Sequence, residues 1–246
     1  MTNKIVIIPT YNEKENVRKI AKAVRELPET FDILFVDDGS PDGTGSIIKE
    51  IQKDDPGIHL IEREGKLGLG TAYITGFRYC LEKGYEFICE MDADFSHNPK
   101  DLPRLVKACE NDIYDIAIGS RYVRGGGVAN WGMDRKFLSY GASLYVRFIT
   151  LMNIKDPTAG FVCYKREVLE TLDLNKITFI GYAFQIEMKF AAWTLGFRLK
   201  EVPIVFTDRV EGVSKMSSNI IGEAVWGVLK MKWLSFFKSY WKRNDF

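Results

Sequence analysis

The chain has 246 residues, of which 46% are hydrophobic and 27% charged, and its formal net charge is +1. This apolar content near charge neutrality excludes an intrinsically disordered chain, and the missing basic excess argues against a general nucleic-acid-binding protein. The cysteines are widely separated and form no CxxC pair, which favours buried free thiols in a reducing compartment over a zinc site. Because no stretch approaches about 18 uncharged apolar residues, we expect no membrane-spanning helix and a protein kept in the cytosol.

In the first half of the chain, short apolar runs alternate with stretches of helical periodicity. The predicted strands are Lys4–Ile8, Phe31–Val36, Ile58–Ile61, Phe87–Met91 and Ile113–Ile118. The predicted helices between them are Glu13–Leu27, Thr44–Ile51, Gly70–Leu81 and Leu102–Cys109. Continuous apolar strands that alternate with helices are typical of a parallel sheet covered on both faces. The sequence therefore predicts an α/β fold with a mostly parallel central sheet.

The second half of the chain is less regular. Helical periodicity covers Asp134–Leu151, Tyr182–Leu195 and Ile220–Trp241, and strands are expected over Phe161–Tyr164 and Arg198–Phe206. Pro203 makes the last of these an edge strand or a bent strand, because proline cannot donate to a neighbouring strand. Neither a linker nor an internal repeat divides the chain. We expect one domain over residues 1–218, followed by a C-terminal amphipathic helix over 219–246.

Polar residues follow several of the predicted strands at the point where each strand ends. The clusters are Thr10-Tyr11-Asn12-Glu13, Asp37-Asp38, Asp92-Ala93-Asp94 and Gly119-Ser120-Arg121. Ligands of parallel α/β sheets bind outside the carboxyl ends of the strands. The four clusters are therefore expected to open onto one edge of the sheet and to form the binding site.

The pair Asp92 and Asp94 carries the clearest chemistry of these clusters. In an extended chain, residues two apart point to the same side, so both carboxylates can face one ligand. Mg²⁺ is typically held by one or two carboxylates together with substrate phosphates and water. A bound cation of this kind neutralises the charge that develops on a departing diphosphate. The pair therefore predicts a divalent cation and a diphosphate leaving group.

Some of the other polar residues have a candidate role in ligand binding, and others fit a purely structural role in turns and helix starts. Asp38 is a candidate acceptor for the base or ribose of a nucleotide, whereas Asp42 and Thr44 fit the turn and the start of the next helix. The glycines of 65–70 predict a tight turn from strand to helix. His59 and His97 are the two histidines, which argues against a Ser-His-Asp triad; we expect His97 to shape the loop after the acidic pair.

Ordered motifs occur along the chain, and they are PTYNE at 9–13, VDDGSPDGT at 36–44, GKxGLGTA at 65–72, MDADFSH at 91–97 and GSRY at 119–122. They continue with DxTxGF at 156–161, FQxE at 184–187 and DR at 208–209 followed by SK at 214–215. Taken in order, these motifs resemble family 2 glycosyltransferases with a GT-A fold, most closely the dolichyl- and polyprenyl-phosphate mannose synthases, and the resemblance covers residues 4–216. Any one motif is weak, but their ordered conjunction is specific.

The resemblance implies a role for each matching residue. The nucleotide pocket would be lined by Pro9, Tyr11, Glu13, Val36 and Asp38. The donor diphosphate and sugar would contact Asp92, Ala93, Asp94, Arg209 and Lys215. Mg²⁺ or Mn²⁺ would be held by Asp92, Asp94 and Ser96. The phosphate of a lipid acceptor would be bound by Arg121, Arg135 and Ser139. The catalytic group implied by these roles is Asp92, Asp94, Arg121 and Arg209.

The activity that the resemblance implies is transfer of mannose from GDP-mannose to a polyprenyl monophosphate, with inversion, to give polyprenyl β-mannosyl phosphate. No residue distinguishes guanine from uracil without the resemblance, so a UDP-sugar such as UDP-glucose stays open as the donor. A non-catalytic module that binds nucleotide sugars or lipid phosphates is the alternative from another class. The resemblance also implies a peripheral position on the cytoplasmic face of a membrane, with the option of a membrane-anchoring partner.

The C-terminal segment carries an apolar stripe with a basic rim. At 100° per residue, one arc of the helix Ile220–Trp241 holds Val225, Trp226, Leu229, Trp233, Phe236, Phe237 and Tyr240. Lysines lie outside this arc. The pattern predicts a helix lying in a membrane interface, and the alternative is an ordinary helix packed on the core of the domain.

Overall fold

The computed structural model describes residues 2–181, 183–208, 218–237 and 239–242, and gives only the backbone of residues 218–225. The strands within these ranges are β1 Lys4–Thr10, β2 Asp32–Asp37, β3 Ile58–Glu62, β4 Phe87–Glu90, β5 Ile116–Ser120, β6 Gly127–Ala129, β7 Val162–Lys165, β8 Leu199–Pro203 and β9 Val205–Thr207. The α-helices are α1 Val17–Arg25, α2 Thr44–Asp54, α3 Leu69–Lys83, α4 Leu102–Glu110, α5 Met133–Thr150, α6 Arg166–Thr171, α7 Ala183–Thr194 and α8 Ser218–Leu234. All fourteen predicted elements correspond to observed ones, with shifted ends.

The central sheet has seven strands in the order β3-β2-β1-β4-β7-β5-β8. The pairs β1–β2, β1–β4, β2–β3 and β5–β8 are parallel, and β7 is antiparallel to both of its neighbours. Strands β5 and β8 therefore run in the same direction as β1 and β4, and the carboxyl ends of six strands meet at one edge. A separate two-stranded sheet pairs β6 with β9 in parallel.

Alternation along the buried strands divides the core between the two faces of the sheet. In β1, Ile5 and Ile7 belong to the core that includes α3 and α7, whereas Val6 and Ile8 belong to the core that includes α1 and α4. Successive side chains of a strand point to opposite faces, so an unbroken apolar run serves both cores. The four cysteines are free and buried. The predicted sheet covered on both faces is confirmed.

The predicted strand Arg198–Phe206 is divided into β8 and β9. Strand β8 forms the edge of the sheet and ends at Pro203, and the amide of Ile204 donates to the carbonyl of Ser120 as the chain leaves the sheet. The expectation of a bent edge strand at Pro203 is confirmed. Strand β9 continues to Thr207 and pairs with β6, which brings two distant segments together beside the end of β5.

The C-terminal helix ends earlier than predicted, at Leu234 instead of Trp241. Beyond it, Tyr240 is buried, its hydroxyl donates to Glu187 and its carbonyl accepts from the amide of Asp173. Trp241 forms an isolated antiparallel bridge with Leu172. Placing Tyr240 on the exposed helical arc was therefore wrong, because this segment lies along the chain that follows α6.

The exposed arc of α8 is otherwise present, and the helix also packs on the core. Val228 and Met231, which lie off the predicted arc, are buried. The arc residues Trp226, Leu229 and Trp233 are exposed on α8, as are Phe236 and Phe237 just beyond it, while the side chain of Val225 lies outside the described residues. Packing on the core is thus confirmed for one face of the helix, and the membrane interface stays a prediction for the other face. No helix within the described ranges has both the length and the apolar character needed to cross a bilayer.

Candidate functional site

The turns that follow β1 and β2 are joined by hydrogen bonds. Thr10 Oγ1 donates to Asp37 Oδ1 at 2.8 Å, and the amide of Asp38 donates to the carbonyl of Thr10 at 2.9 Å. The amide of Asn12 donates to Ser40 Oγ at 3.0 Å. Since β1 and β2 are adjacent and parallel, their polar ends form one continuous surface at the carboxyl edge.

Four of the five residues predicted to line a nucleotide pocket lie at this edge, and they are Pro9, Tyr11, Glu13 and Asp38, whereas Val36 is fully buried in the core. Pro9 and Val36 are register partners in β1 and β2. The Tyr11 ring has Lys66 Nζ above it, 5.1 Å from the ring centroid. The amide of Glu13 donates to Thr44 Oγ1. The structure therefore brings four of the five residues to one edge of the sheet, while the side chain of Val36 packs in the core.

Asp42 has the structural role expected of it. Its Oδ1 accepts from both the amide and the hydroxyl of Thr44, at the first turn of α2. Its Oδ2 accepts from the amide of Lys14, in the turn after β1. Asp42 therefore fastens the first turn of α2 to the β1 turn.

Asp38 forms a buried pair with Arg63, a residue that the sequence analysis did not select. Arg63 Nε donates to Asp38 Oδ1 at 2.6 Å, Nη1 donates to Thr71 Oγ1 at 2.7 Å, and Nη2 donates to the carbonyl of Gly68 at 3.1 Å. Burial raises the pKa of Asp38, an effect that Arg63 opposes. Arg63 follows the end of β3, so the strand-end rule could have identified it. Its guanidinium fixes both the carboxylate and the Gly68 turn, where the backbone has a φ of +99°.

The acidic pair follows β4 in a tight loop. Asp94 is buried and its Oδ1 accepts from the amide of Ser96 at 3.0 Å, whereas the side chain of Asp92 is 41% exposed. Between them and Ser96, Phe95 has a φ of +60° and turns the chain sharply. The loop therefore directs one carboxylate towards solvent and holds the other against the protein.

His97 shapes this loop, as expected from the sequence. Its Nδ1 accepts from the amide of Asp92 at 3.2 Å. The ring is buried, stacks on Phe161 with 4.9 Å between centroids and meets Phe206 edge-on at 5.3 Å. Burial lowers the pKa of His97, which keeps the imidazole neutral and leaves Nδ1 able to accept. His97 thus positions Asp92.

The three residues predicted to hold a divalent cation offer only oxygen ligands, which are the ligands that Mg²⁺ takes in proteins. Asp92 and Asp94 supply carboxylate oxygens and Ser96 supplies a hydroxyl. Within the described residues, no group of three or more His, Cys, Asp or Glu side chains could hold a metal. A cation bound here would need further oxygen ligands, which matches Mg²⁺ held by two carboxylates together with substrate phosphates.

Arg121 follows β5 and is held in a bidentate pair with Asp156. Nε donates to Asp156 Oδ2 at 2.8 Å, Nη2 donates to Oδ1 at 2.6 Å, and Nη2 also donates to Thr158 Oγ1 at 2.8 Å. The Asp156 side chain is fully buried and that of Arg121 is 10% exposed. Two parallel charge-assisted hydrogen bonds fix the guanidinium plane. The sequence analysis assigned Arg121 to the acceptor phosphate, but it gave its partner Asp156 no role.

Trp131 lies beside both predicted phosphate-binding arginines. Its ring centroid is 4.1 Å from Cζ of Arg135 and 5.8 Å from Cζ of Arg121. Arg135 Nη1 also pairs with Asp208 Oδ1 at 2.9 Å, and its side chain is 37% exposed. Ser139 lies one turn further along α5, where its Oγ accepts from the Tyr122 hydroxyl at 2.7 Å. The structure thus brings Arg121, Arg135 and Ser139 into one neighbourhood through aromatic contacts.

Two predicted donor contacts, Arg209 and Lys215, lie outside the described residues. The chain immediately before them is described. The amide of Thr207 donates to the carbonyl of Ser96, and the amide of Asp208 donates to the carbonyl of Ala129. Strand β9 therefore ends between the acidic loop and the Arg135 region, which joins the two halves of the candidate site.

A comparison with protein-family models matches residues 5–173 to "Glycosyl transferase family 2". Among curated proteins, the chain is 46% identical over 234 residues to the undecaprenyl-phosphate mannosyltransferase of Micrococcus luteus, covering 93% of this chain and 95% of the relative. It is 48% identical over 230 residues to the polyprenol monophosphomannose synthase of Mycolicibacterium smegmatis, covering 91% of this chain and 86% of the relative.

Solved structures with low sequence identity share the fold. Glucosyl-3-phosphoglycerate synthase from Mycobacterium tuberculosis, in complex with Mn²⁺, UDP and phosphoglyceric acid, has a TM-score of 0.66 at 17% identity and covers 98% of this chain and 80% of its own. A mannosyltransferase from Pyrobaculum calidifontis, in complex with GDP-Man and Mn²⁺, has a TM-score of 0.60 at 19% identity and covers 96% of this chain and 64% of its own.

The expected α/β architecture of the GT-A type is confirmed by these neighbours together with the mostly parallel sheet. The family model covers more than half of the chain, and both curated relatives match it over nearly its whole length. The chain is therefore a glycosyltransferase and belongs to glycosyl transferase family 2.

Proposed function

We propose that the enzyme transfers mannose from GDP-mannose to a polyprenyl monophosphate of the dolichyl or undecaprenyl type. The observation that carries the proposal is that Phe206 contacts both His97, which holds the amide of Asp92, and the guanidinium of Arg121. The proposal thus joins a carboxylate pair, Asp92 and Asp94, to a pair of arginines, Arg121 and Arg135. The first pair suits a metal-bound diphosphate and the second suits a phosphate monoester. The names of the two curated relatives support this choice of sugar and acceptor.

On the donor side, Asp92 and Asp94, with Ser96, would hold Mg²⁺ or Mn²⁺ against the diphosphate. When bound, the cation neutralises the negative charge that develops on the leaving GDP. Asp38 is held by Arg63 at the surface formed by β1 and β2, where the nucleotide would bind. Arg209 and Lys215 remain the proposed basic contacts to the diphosphate.

On the acceptor side, the nucleophile needs no general base. The second pKa of a phosphate monoester is about 6, so the acceptor is largely dianionic at pH 7. Its difficulty is electrostatic, because it must approach a donor that is also negatively charged. Arg121 and Arg135 would offset this repulsion with positive charge, and Arg121 would reach the phosphate through Nη1, because its Nε and Nη2 donate to Asp156 and Thr158. Ser139 adds a hydroxyl on the same face of α5.

The reaction then follows as a single in-line displacement. An oxygen of the acceptor phosphate forms a bond to the anomeric carbon as the bond from that carbon to the GDP oxygen breaks. Both electrons of the broken bond leave with GDP. Attack from the side opposite the leaving group inverts an α-linked donor to a β-linked product.

An apolar surface extends from the acceptor arginines along α5. Its exposed residues follow helical spacing and are Met133, Phe137, Tyr140, Leu144, Phe148 and Leu151. Helix α5 packs against α8, whose exposed arc adds Trp226 and Trp233. Contiguous exposed apolar patches on a protein surface mark interaction sites. A lipid acceptor resides in a membrane, so we assign this surface to a membrane interface, with the enzyme peripheral on the cytoplasmic face.

Membrane docking is tested by the double variant Trp233→Ser with Phe237→Ser. Both side chains are largely exposed, so the fold should persist, whereas deletion of residues 219–246 would remove buried Val228 and Met231. Burying a large apolar side chain contributes about 1.5–3 kcal/mol. We therefore expect co-sedimentation with phosphatidylglycerol vesicles to fall more than about tenfold. Ile113→Ser, at an exposed apolar residue before β5, is the control. A wild-type protein that stays in the supernatant would contradict the assignment.

The role of Arg63 at the proposed nucleotide site is tested by measuring nucleotide binding. Arg63→Met removes the three hydrogen bonds that hold Asp38, Thr71 and Gly68 in place. Hydrogen bonds to charged groups contribute about 1.5–3 kcal/mol, so we expect the Kd for GDP to rise at least about tenfold. Calorimetric titration measures this. Arg18→Met, at an exposed arginine paired with Glu50, should leave the Kd unchanged. Equal affinities of the Arg63 variant and the wild type for GDP would show that Arg63 does not contribute to nucleotide binding.

The proposed function is tested by transfer of radiolabel to a polyprenyl phosphate in detergent. GDP-mannose and UDP-glucose are supplied separately, each with Mg²⁺ and with EDTA. We expect label in the lipid phase only from GDP-mannose with metal. Transfer only from UDP-glucose would support the proposed acceptor and show that the proposed donor is wrong. Tight nucleotide binding without transfer from either donor would favour a binding module or an enzyme that needs a partner.

A further inference from the structure

Lys189, on α7, is a fully buried lysine that the proposed reaction does not use. Its Nζ donates to the carbonyl of Ala159 at 2.6 Å, to the carbonyl of Gln185 at 2.8 Å and to Gln185 Oε1 at 3.2 Å. Burial lowers the pKa of Lys189, whereas the nearby carboxylates of Glu90 and Asp156 favour its charged form. Lysine is rarely buried in full, so these contacts call for an explanation.

The Ala159 carbonyl belongs to the loop that holds Arg121. In the loop of residues 156–160, the carboxylate of Asp156 and the hydroxyl of Thr158 accept from the Arg121 guanidinium. The amide of Asp156 donates to Glu201 Oε1 at 2.9 Å, which ties the start of the loop to the edge strand β8. Lys189 ties the loop to α7. The loop is thus anchored to both β8 and α7.

Packing alone does not account for a lysine at this position. A methionine has similar length and would fill the space without the cost of removing an ammonium group from water. Methionine cannot donate to the Ala159 carbonyl, which in a buried site would be left without this partner. The lysine therefore supplies a directed contact to the loop rather than apolar volume.

We propose that Lys189 is a positioning residue for the acceptor phosphate. Through the Ala159 carbonyl it fixes the loop of residues 156–160, and through Asp156 and Thr158 the loop fixes the guanidinium of Arg121. Lys189 itself touches no substrate. This inference rests on the proposed function, because it requires Arg121 to bind the acceptor.

The first test compares Lys189→Met with the wild type. The Kd for a short-chain polyprenyl phosphate and the Kd for GDP are measured by calorimetry, and KM and kcat are measured by transfer. A misplaced binding group costs affinity steeply with distance, so we expect the acceptor Kd and KM to rise about tenfold while the Kd for GDP stays within about twofold. Met188→Ala is the matched control: it alters a buried residue of the same helix, and should lower the Tm without changing the ratio of the two affinities.

The second test asks whether Lys189 acts through Arg121. Thr158→Val removes the hydroxyl that accepts from Arg121 at a half-buried position. If loop and arginine form one unit, Lys189→Met should weaken acceptor binding less in the Thr158→Val background than in the wild type. Full additivity would overturn the proposal. If Lys189→Met does not fold, Gln185→Met, which removes one acceptor of the ammonium, should shift acceptor affinity in the same direction.

The outcomes separate the inference from the function on which it rests. A wild-type enzyme that neither binds nor uses polyprenyl phosphate overturns the proposed function and the inference with it. A wild-type enzyme that uses the lipid, with acceptor affinity unchanged in Lys189→Met or, where that variant does not fold, in Gln185→Met, overturns the inference alone. Equal losses of acceptor and GDP affinity also overturn it, because they indicate a general structural role.

Discussion

Asp94→Asn should lower kcat for mannosyl transfer about 100- to 1000-fold while leaving the protein folded. The asparagine keeps the size of the side chain and an oxygen that can accept from the amide of Ser96. It removes the negative charge that would hold the divalent cation, and the loss of one stabilising group at developing charge costs about this factor. The measurement is transfer from GDP-mannose over a range of Mg²⁺ concentrations.

A control substitution distinguishes the loss of charge at Asp94 from the general effect of replacing an aspartate. Asp112→Asn alters a carboxylate that is almost fully exposed and pairs with Lys165, and it should leave kcat unchanged. We also expect Asp94→Asn to need more Mg²⁺ for half-maximal activity. A variant with wild-type kcat and metal dependence would show that Asp94 holds no cation during the reaction.

Arg121→Met should damage both acceptor use and stability. The substitution leaves the carboxylate of Asp156 fully buried without its guanidinium partner, which costs about 3–5 kcal/mol of the free energy of unfolding. It also removes a cation that would meet the dianionic acceptor. We expect the acceptor KM to rise at least about 100-fold, and the Kd for GDP to change little. Denaturant unfolding and calorimetry measure the two effects.

A second substitution distinguishes the loss of stability from the loss of acceptor use. In the double variant Arg121→Met with Asp156→Asn, neither member of this pair leaves the other as a buried, unpaired charge. Stability should therefore recover in part relative to the single variant. Acceptor use should not recover, because the cation is still missing. Recovery of both together would assign Arg121 a structural role and would remove it from the proposed acceptor site. Equal losses of acceptor and donor binding in the single variant would do the same.

The sequence predicted the carboxyl edge and most of its residues because those signals are local. The unbroken apolar run of β1 identifies a strand buried on both faces, and the polar residues after it predict the edge at which a ligand would bind. The run that became β7 was predicted as a strand, but its antiparallel direction between β4 and β5 was not. An apolar run carries no information on the direction of its neighbours.

The partners of the site residues could not be predicted in the same way. Arg63 and Asp38 are 25 positions apart, and Arg121 and Asp156 are 35 apart. A charged residue in a sequence can pair with any opposite charge, and its choice depends on which loops the strand order brings together. Trp131 beside Arg135 and Lys189 beneath the loop of Asp156 were missed for this reason.

The sequence by itself determined the alternation of strands and helices, the edge of the sheet at which polar residues gather, and the residue types available there. These follow from hydrophobic periodicity and from turn-forming residues, which act over a few neighbouring positions. Tertiary structure alone decided which carboxylate faces which guanidinium, and that Tyr240 is buried while Trp233 is exposed. Burial and pairing depend on segments that are far apart in the chain, and they are fixed only when the sheet and its helices have packed.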